Sequence, residues 1–279
     1  MRPGASRDAS PARLRMRDAI ALGLLHGPAE LLPVSSSAHV ALVPWLLDWP
    51  YARLDGDLRK AFEVALHAGS VAALLVGLRG ELAAELRGLD GRRLRVLALS
   101  TLPPAVVGLL LERAIERRLG TPASIAAGLA AGAVALAAAD AAGGTQRRRD
   151  DATAADGIAL GIAQACALMP GVSRSGATLT AARARGFARR DAGILSRQVA
   201  LPVIAGATAL KGLRLVRGGL PAGGGRGFAA ATAAAFGATL AALPLARAVD
   251  RDGALPAFAA YRLAVAALVI GRLRRTPRP

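Results

Sequence analysis

What most constrains this chain is a series of long apolar runs, over residues 64–78, 94–111, 125–142, 194–210, 228–245 and 257–270, separated by arginine-rich segments. A helix needs about 20 apolar residues to cross a bilayer, and runs of this kind predict about six spanning helices in an all-α integral membrane protein. The composition agrees. Hydrophobic residues make up 53% of the chain and mean hydropathy is +0.40, yet it holds only five Phe, two Trp and two Tyr. That balance excludes both an ordinary soluble two-domain enzyme and a disordered chain.

A formal charge of +17 raises nucleic acid as a partner, so the placement of the cations matters. Arg2, Arg7, Arg13, Arg15 and Arg17 precede the first apolar stretch, Arg147, Arg148 and Arg149 sit mid-chain, and Arg272, Arg274, Arg275 and Arg278 close it. Cations between apolar runs are the habit of loops beside anionic lipid, and no aromatic platform for bases accompanies them. Membrane lipids are therefore the expected partner, and nucleic acid is not. Arginines flank successive spans on both sides (Arg92, Arg93 and Arg95, then Arg113, Arg117 and Arg118), so loop charge fixes no orientation. The single cysteine, Cys166, forms no intramolecular disulfide, and three His without cysteine-rich spacing exclude a structural zinc site. Apolar residues 19–25 lead into His26, Pro28 and Glu30 rather than a small-residue cleavage site, so an uncleaved N-terminus is expected.

Two further apolar stretches are broken. Residues 19–47 are interrupted by Pro28, Pro33 and Ser35-Ser36-Ser37, and residues 158–179 by Pro170, Gly171, Ser173, Arg174, Ser175 and Gly176. Broken backbone in hydrocarbon leaves amides unpaired, so such segments belong inside protein or beside a wet cavity. They also resemble each other: Leu32-Pro33-Val34-Ser35-Ser36-Ser37-Ala38 pairs with Met169-Pro170-Gly171-Val172-Ser173-Arg174-Ser175-Gly176-Ala177, and downstream Glu63-Val64-Ala65-Leu66 pairs with Gln198-Val199-Ala200-Leu201. This predicts an inverted internal repeat, with halves at about 18–142 and 156–272, inside one membrane domain over 18–272 between basic tails at 1–17 and 273–279. Paired interruptions in two halves point to a binding site where the halves meet.

The chemistry-bearing residues gather in those interruptions. Glu30, Ser35, Ser36, Ser37 and His39 fall within ten positions, and His26 lies one helical turn before Glu30 on the same face. Ionisable residues at membrane depth are costly and mark function. In the second interruption, Gly171, Ser173, Arg174 and Ser175 combine close backbone approach, hydroxyl donors and a guanidinium fork suited to phosphate oxygens. One half thus offers acid, base and hydroxyl groups and the other a cationic cradle, which together fit hydrolysis of a phosphate ester or anhydride carried on a lipid.

The run from Glu30 to His39, with Pro170-Gly171-Val172-Ser173-Arg174-Ser175-Gly176-Ala177-Thr178, resembles the two signature motifs of the bacitracin-resistance (BacA/UppP) family of bacterial undecaprenyl-diphosphate phosphatases. Further likenesses lie in residues 62–70, 101–105 and 156–164 and at Tyr261-Arg262, so the resemblance covers residues 18–272. It implies an inner-membrane enzyme with six spanning helices and two re-entrant helical hairpins. That enzyme converts undecaprenyl diphosphate to the monophosphate and phosphate, and so recycles the lipid carrier of peptidoglycan synthesis. The likeness carries catalytic roles to Glu30, Ser36, His39 and Arg174, and substrate binding to Ser35, Ser37, Gly171, Ser173, Ser175 and Thr178. It also implies a divalent cation, calcium or magnesium, at Glu30 with His26 beside it, a polyprenyl diphosphate as substrate, and leaves room for a homodimer.

Two departures stand out. His26 replaces the acid or amide usual four residues before Glu30, and imidazole suits a hard cation less well than carboxylate does. Ser196-Arg197-Gln198 replaces an aromatic-rich stretch. The main alternative is a transporter or flippase for a phosphorylated lipid or small anion on the same inverted-repeat scaffold. A histidine-nucleophile lipid phosphatase is excluded, since no His follows His67.

Overall fold

Uninterrupted apolar runs become helices because, without water, each amide must find its partner within its own segment. The computed structural model describes residues 14–144, 146–219, 225–252 and 254–275, with the side chains of 250–252 left aside. Most of the N-terminal tail and the end of the C-terminal tail lie outside the described residues.

In chain order the helices are α1 (Met16–Leu31), α2 (Ser36–Leu46), α3 (Gly56–Gly77), α4 (Arg79–Arg87), α5 (Gly91–Leu119), α6 (Pro122–Ala142), α7 (Ala154–Cys166), α8 (Arg174–Ala184), α9 (Arg189–Gly218), α10 (Gly225–Asp252) and α11 (Leu255–Arg275). The described residues contain no strand. Six helices, α3, α5, α6, α9, α10 and α11, are long and apolar enough to cross a membrane, and they match the six runs expected from sequence, α3 ending one residue short of its run. Each starts earlier than its apolar run, and at α3, α5 and α6 polar caps satisfy the first N–H groups. Asp55 accepts from the backbone of Asp57 and Leu58 ahead of α3. Asp90 accepts from Arg93 N at 2.7 Å ahead of α5, and this bond holds the Asp90 carboxyl below its ordinary value. Thr121 and Ser124 cap α6 reciprocally.

The two broken stretches fold as pairs of short helices, α1 with α2 and α7 with α8. α1 lies along α10, and α7 lies along α5. Both dockings use glycines four residues apart, the spacing that lets helix backbones approach in a membrane. A Cβ on Gly23 would stand 2.5 Å from the Ala231 carbonyl oxygen, and one on Gly27 2.5 Å from Thr239 N. In α7, a Cβ on Gly157 would stand 2.9 Å from the Val96 carbonyl oxygen, and one on Gly161 2.6 Å from that of Leu99. Gly27→Leu is therefore expected to lever α1 off α10 and cost about 3 kcal/mol or more, since the obstacle is backbone rather than a yielding side chain. Thermal unfolding in detergent checks it.

Charged anchors fix the second pair. Asp140 of α6 accepts from Arg183 Nε at 2.9 Å and from Arg189 at 2.9 and 3.0 Å. Arg183 spends its remaining donors on the carbonyls of Asp140, Gly143, Gly144 and Phe187. Nearby, Asp156 binds Arg147 at 2.7 Å and Arg185 at 2.6 Å. Because Arg183 and Asp140 are buried, Arg183→Met leaves four carbonyls without this donor and Asp140 with Arg189 as its one remaining cation among the described residues. The expected loss is about 3–5 kcal/mol, read as a lowered Tm.

Candidate active site

Both broken stretches turn at a serine held in the left-handed region, Ser35 at φ 75° and Ser173 at φ 64°. Such a conformation costs a residue other than glycine about 1 kcal/mol or more and gathers at functional sites. Each serine caps the short helix after it, accepting from Ala38 N at 3.4 Å and Gly176 N at 3.2 Å. The first residue of each of these helices then reaches one carboxylate. Ser36 Oγ donates to Glu30 Oε2 at 2.6 Å, and Arg174 Nη2 donates to Glu30 Oε1 at 2.5 Å. Two helix N-termini, whose free N–H groups and dipoles favour anions, thus meet at a buried Glu and a partly exposed Arg.

Ser175 Oγ fastens the two turns together by donating to the Leu32 carbonyl at 2.9 Å. Gly171, at φ 97°, has its Cα so close to α6 that a Cβ would lie 2.2 Å from the Ile125 carbonyl oxygen. Its own carbonyl, with that of Val172, accepts from the buried Arg262. Ser37 is exposed, 3.4 Å from the Ser35 hydroxyl. Thr178 is fully buried, and its hydroxyl is engaged by Ser196 Oγ at 2.6 Å and by the carbonyls of Arg174 and Ser175.

The histidines divide. His39 sits one turn beyond Ser36 in α2, with Nδ1 against the Ser35 carbonyl and Nε2 against Tyr261 Oη, both at 2.7 Å. The acceptor of the Ser36 hydroxyl is Glu30. His26 and His67 instead flank Glu30, each with Nε2 3.8 Å from Oε2, and their rings meet edge-on at 4.7 Å between centroids. His26 Nδ1 bonds Ser70 Oγ at 3.0 Å, and Ser70 also receives Thr239 at 3.0 Å.

Sequence reasoning singled out His26 and Glu30 together but missed His67, Ser70 and Tyr261 as neighbours of the site. A signal existed: His67, Ser70 and Leu74 fall at helical spacing and share one face of α3.

An open cleft is lined by polar residues, among them Glu30, Arg174, Ser175, Ser196 and Arg197, and by apolar ones, among them Leu74, Leu78, Leu179, Leu201 and Ile204. Of the two short helices it is α8 whose first residues, Arg174 and Ser175, reach this cleft, beside residues of α3 and α9.

Fold and site together define a multi-pass helical membrane protein with an anion-directed centre built where two interrupted segments meet. The chain belongs to the family of the bacitracin resistance protein BacA, whose model matches residues 19–268. It is similar to the undecaprenyl-diphosphatase of Geobacter metallireducens, 41% identical over 217 residues that cover 74% of this chain and 78% of that protein. The one from Geobacter sulfurreducens is 42% identical with the same coverage. The one from Chromohalobacter salexigens is 36% identical over 255 residues, covering 88% of this chain and 94% of the relative.

Proposed function

We propose that this chain hydrolyses undecaprenyl diphosphate to undecaprenyl phosphate and inorganic phosphate in the bacterial inner membrane, renewing the carrier lipid of cell-wall synthesis. The observation that carries this reading is a cleft that sets the Glu30–Arg174 pair among leucines: a diphosphate seeks the guanidinium, and a prenyl chain the apolar side chains. The relatives are named as phosphatases, which disfavours the transporter alternative.

In the reaction, Arg174 and the first N–H groups of α2 and α8 hold the terminal phosphate and neutralise the charge that grows on its oxygens. Ser36 Oγ attacks the terminal phosphorus while Glu30, already its hydrogen-bond acceptor, receives the hydroxyl proton. The bridging P–O bond breaks, its electron pair leaves with undecaprenyl phosphate, and water then frees phosphate from the serine. His39, anchored by Ser35 and Tyr261, stands one turn along α2 as a proton carrier. Two re-entrant hairpins, α1–α2 and α7–α8, would bring these groups to membrane depth.

The calcium or magnesium ion of the family resemblance calls for oxygen donors, six to eight of them for calcium. His26, Glu30 and His67 offer one carboxylate and two imidazoles, so this donor set does not fit either ion.

The test is phosphate release by the full chain in detergent with undecaprenyl diphosphate. Stoichiometric phosphate and monophosphate lipid are expected. Lipid binding without phosphate release would overturn the reading.

A further inference from the structure

Glu30, the proton acceptor of the hydrolysis above, also belongs to a cluster whose two histidines that hydrolysis does not use. Glu30 Oε2, His26 Nε2 and His67 Nε2 all lie within 4.8 Å of one another. The proton position on His67 follows from its partner. His67 Nδ1 lies 2.8 Å from the Glu63 carbonyl, which can only accept, so Nδ1 carries the proton and Nε2 presents a lone pair. His26 is 1% exposed; its Nδ1 is held by Ser70, and its Nε2 is buried without a hydrogen-bond partner. At 3.8 Å, neither Nε2 is within hydrogen-bond reach of the carboxylate. Oε2 carries two lone pairs, and the bond from Ser36 uses one, so the other is free to join the two rings.

The His67 Nε2 lone pair and the free lone pair of Glu30 Oε2 converge on this spot, and His26 Nε2 adds a third in the tautomer whose Nδ1 proton goes to Ser70. Each imidazole is also oriented through its far nitrogen by a serine hydroxyl or a backbone carbonyl, which is how proteins fix histidines as metal ligands. Two imidazoles and one carboxylate suit a borderline divalent ion of the zinc class, with ligand bonds of about 2.0–2.2 Å, and leave a further position for water or a phosphate oxygen.

We infer that His26, Glu30 and His67 form a binding site for a transition-metal dication such as zinc or cobalt, in place of the hard calcium or magnesium ion that oxygen ligands would take. The site stands independently of the phosphatase reading. If that reading holds, an ion held by His26, Glu30 and His67 would supply positive charge to the reaction.

The experiment uses the full chain in detergent, stripped with chelator and carrying Cys166→Ser to remove the exposed thiol as a competing ligand. Cobalt is titrated while the visible d–d absorption is followed, then displaced with zinc, magnesium or calcium, and bound metal is counted by mass spectrometry. One ion per chain is expected, with zinc binding at least 100-fold tighter than calcium or magnesium. His67→Gln and His26→Gln should each weaken cobalt binding at least 10-fold and alter its spectrum. His26→Glu, which returns a carboxylate, should narrow the preference for zinc over magnesium at least 10-fold. The inference is overturned if zinc binds no tighter than calcium. It is equally overturned if folded His26→Gln and His67→Gln proteins, judged by unchanged gel-filtration profiles, bind cobalt with the parent affinity and spectrum. Should either variant misfold, the His26→Glu selectivity decides. Phosphate release is measured separately: a cobalt spectrum without turnover retains the metal site and removes the phosphatase reading, and turnover without metal binding does the reverse.

Discussion

Arg174→Ala is expected to lower kcat/KM for phosphate release about 1,000-fold while the protein stays folded. Arg174 is the first residue of α8, its side chain is 19% exposed at the cleft, and its guanidinium reaches Glu30 rather than a packed core, so truncation opens space toward the cleft. Removal of one preorganised donor from a charge-developing centre costs about 100- to 1,000-fold, and a full positive charge lies at the upper end of that range. Both parameters should suffer, because the guanidinium holds the ground-state phosphate as well as the transition state. Arg174→Lys keeps the charge but loses the fork that can grip two oxygens at once, and should retain about a tenth of the turnover. Steady-state phosphate release, beside Tm and gel-filtration profiles, checks both variants. Near-normal turnover in Arg174→Ala would remove the cationic half of the site.

The architecture was legible where one physical constraint dominates. Lipid forces each exposed backbone amide into a helix, so run length alone predicted α3, α5, α6, α9, α10 and α11. It likewise separated the two interrupted stretches from the spans. The meeting of Glu30 with Ser36 and Arg174 was suggested by likeness between the interruptions, since Ser35 and Ser173 take the same backbone conformation and cap the same kind of helix. What the sequence hides depends on how long helices rotate against one another. His67 lies mid-span in α3 and belongs to the site only because α3 turns that face toward α1, while Tyr261 reaches His39 across 222 positions. Thr178 shows the converse. It belongs to the motif, yet its hydroxyl is held by Ser196, a partner that no spacing rule names.

A second large effect is expected at the pair of Ser36 and Glu30, and its diagnostic feature is non-additivity. The 2.6 Å bond from Ser36 Oγ to Oε2 aligns the hydroxyl and gives its proton a destination, so the two side chains act as one unit. Glu30→Gln keeps the shape but loses the proton acceptor, and should lower kcat about 1,000-fold or more, within the range of general-base contributions. Ser36→Ala should lower it by a similar factor, leaving the residual rate that Arg174 and the helix N-termini sustain by binding alone. Once either partner is gone, the other has little left to contribute. The double variant should therefore be within about threefold of the slower single variant, whereas independent contributions would multiply to about a millionfold loss. KM should change little in Ser36→Ala, because Arg174 remains to hold the diphosphate. A multiplicative loss in the double variant would separate the two groups. Full activity in Ser36→Ala would hand the attack to water, with Glu30 as its base.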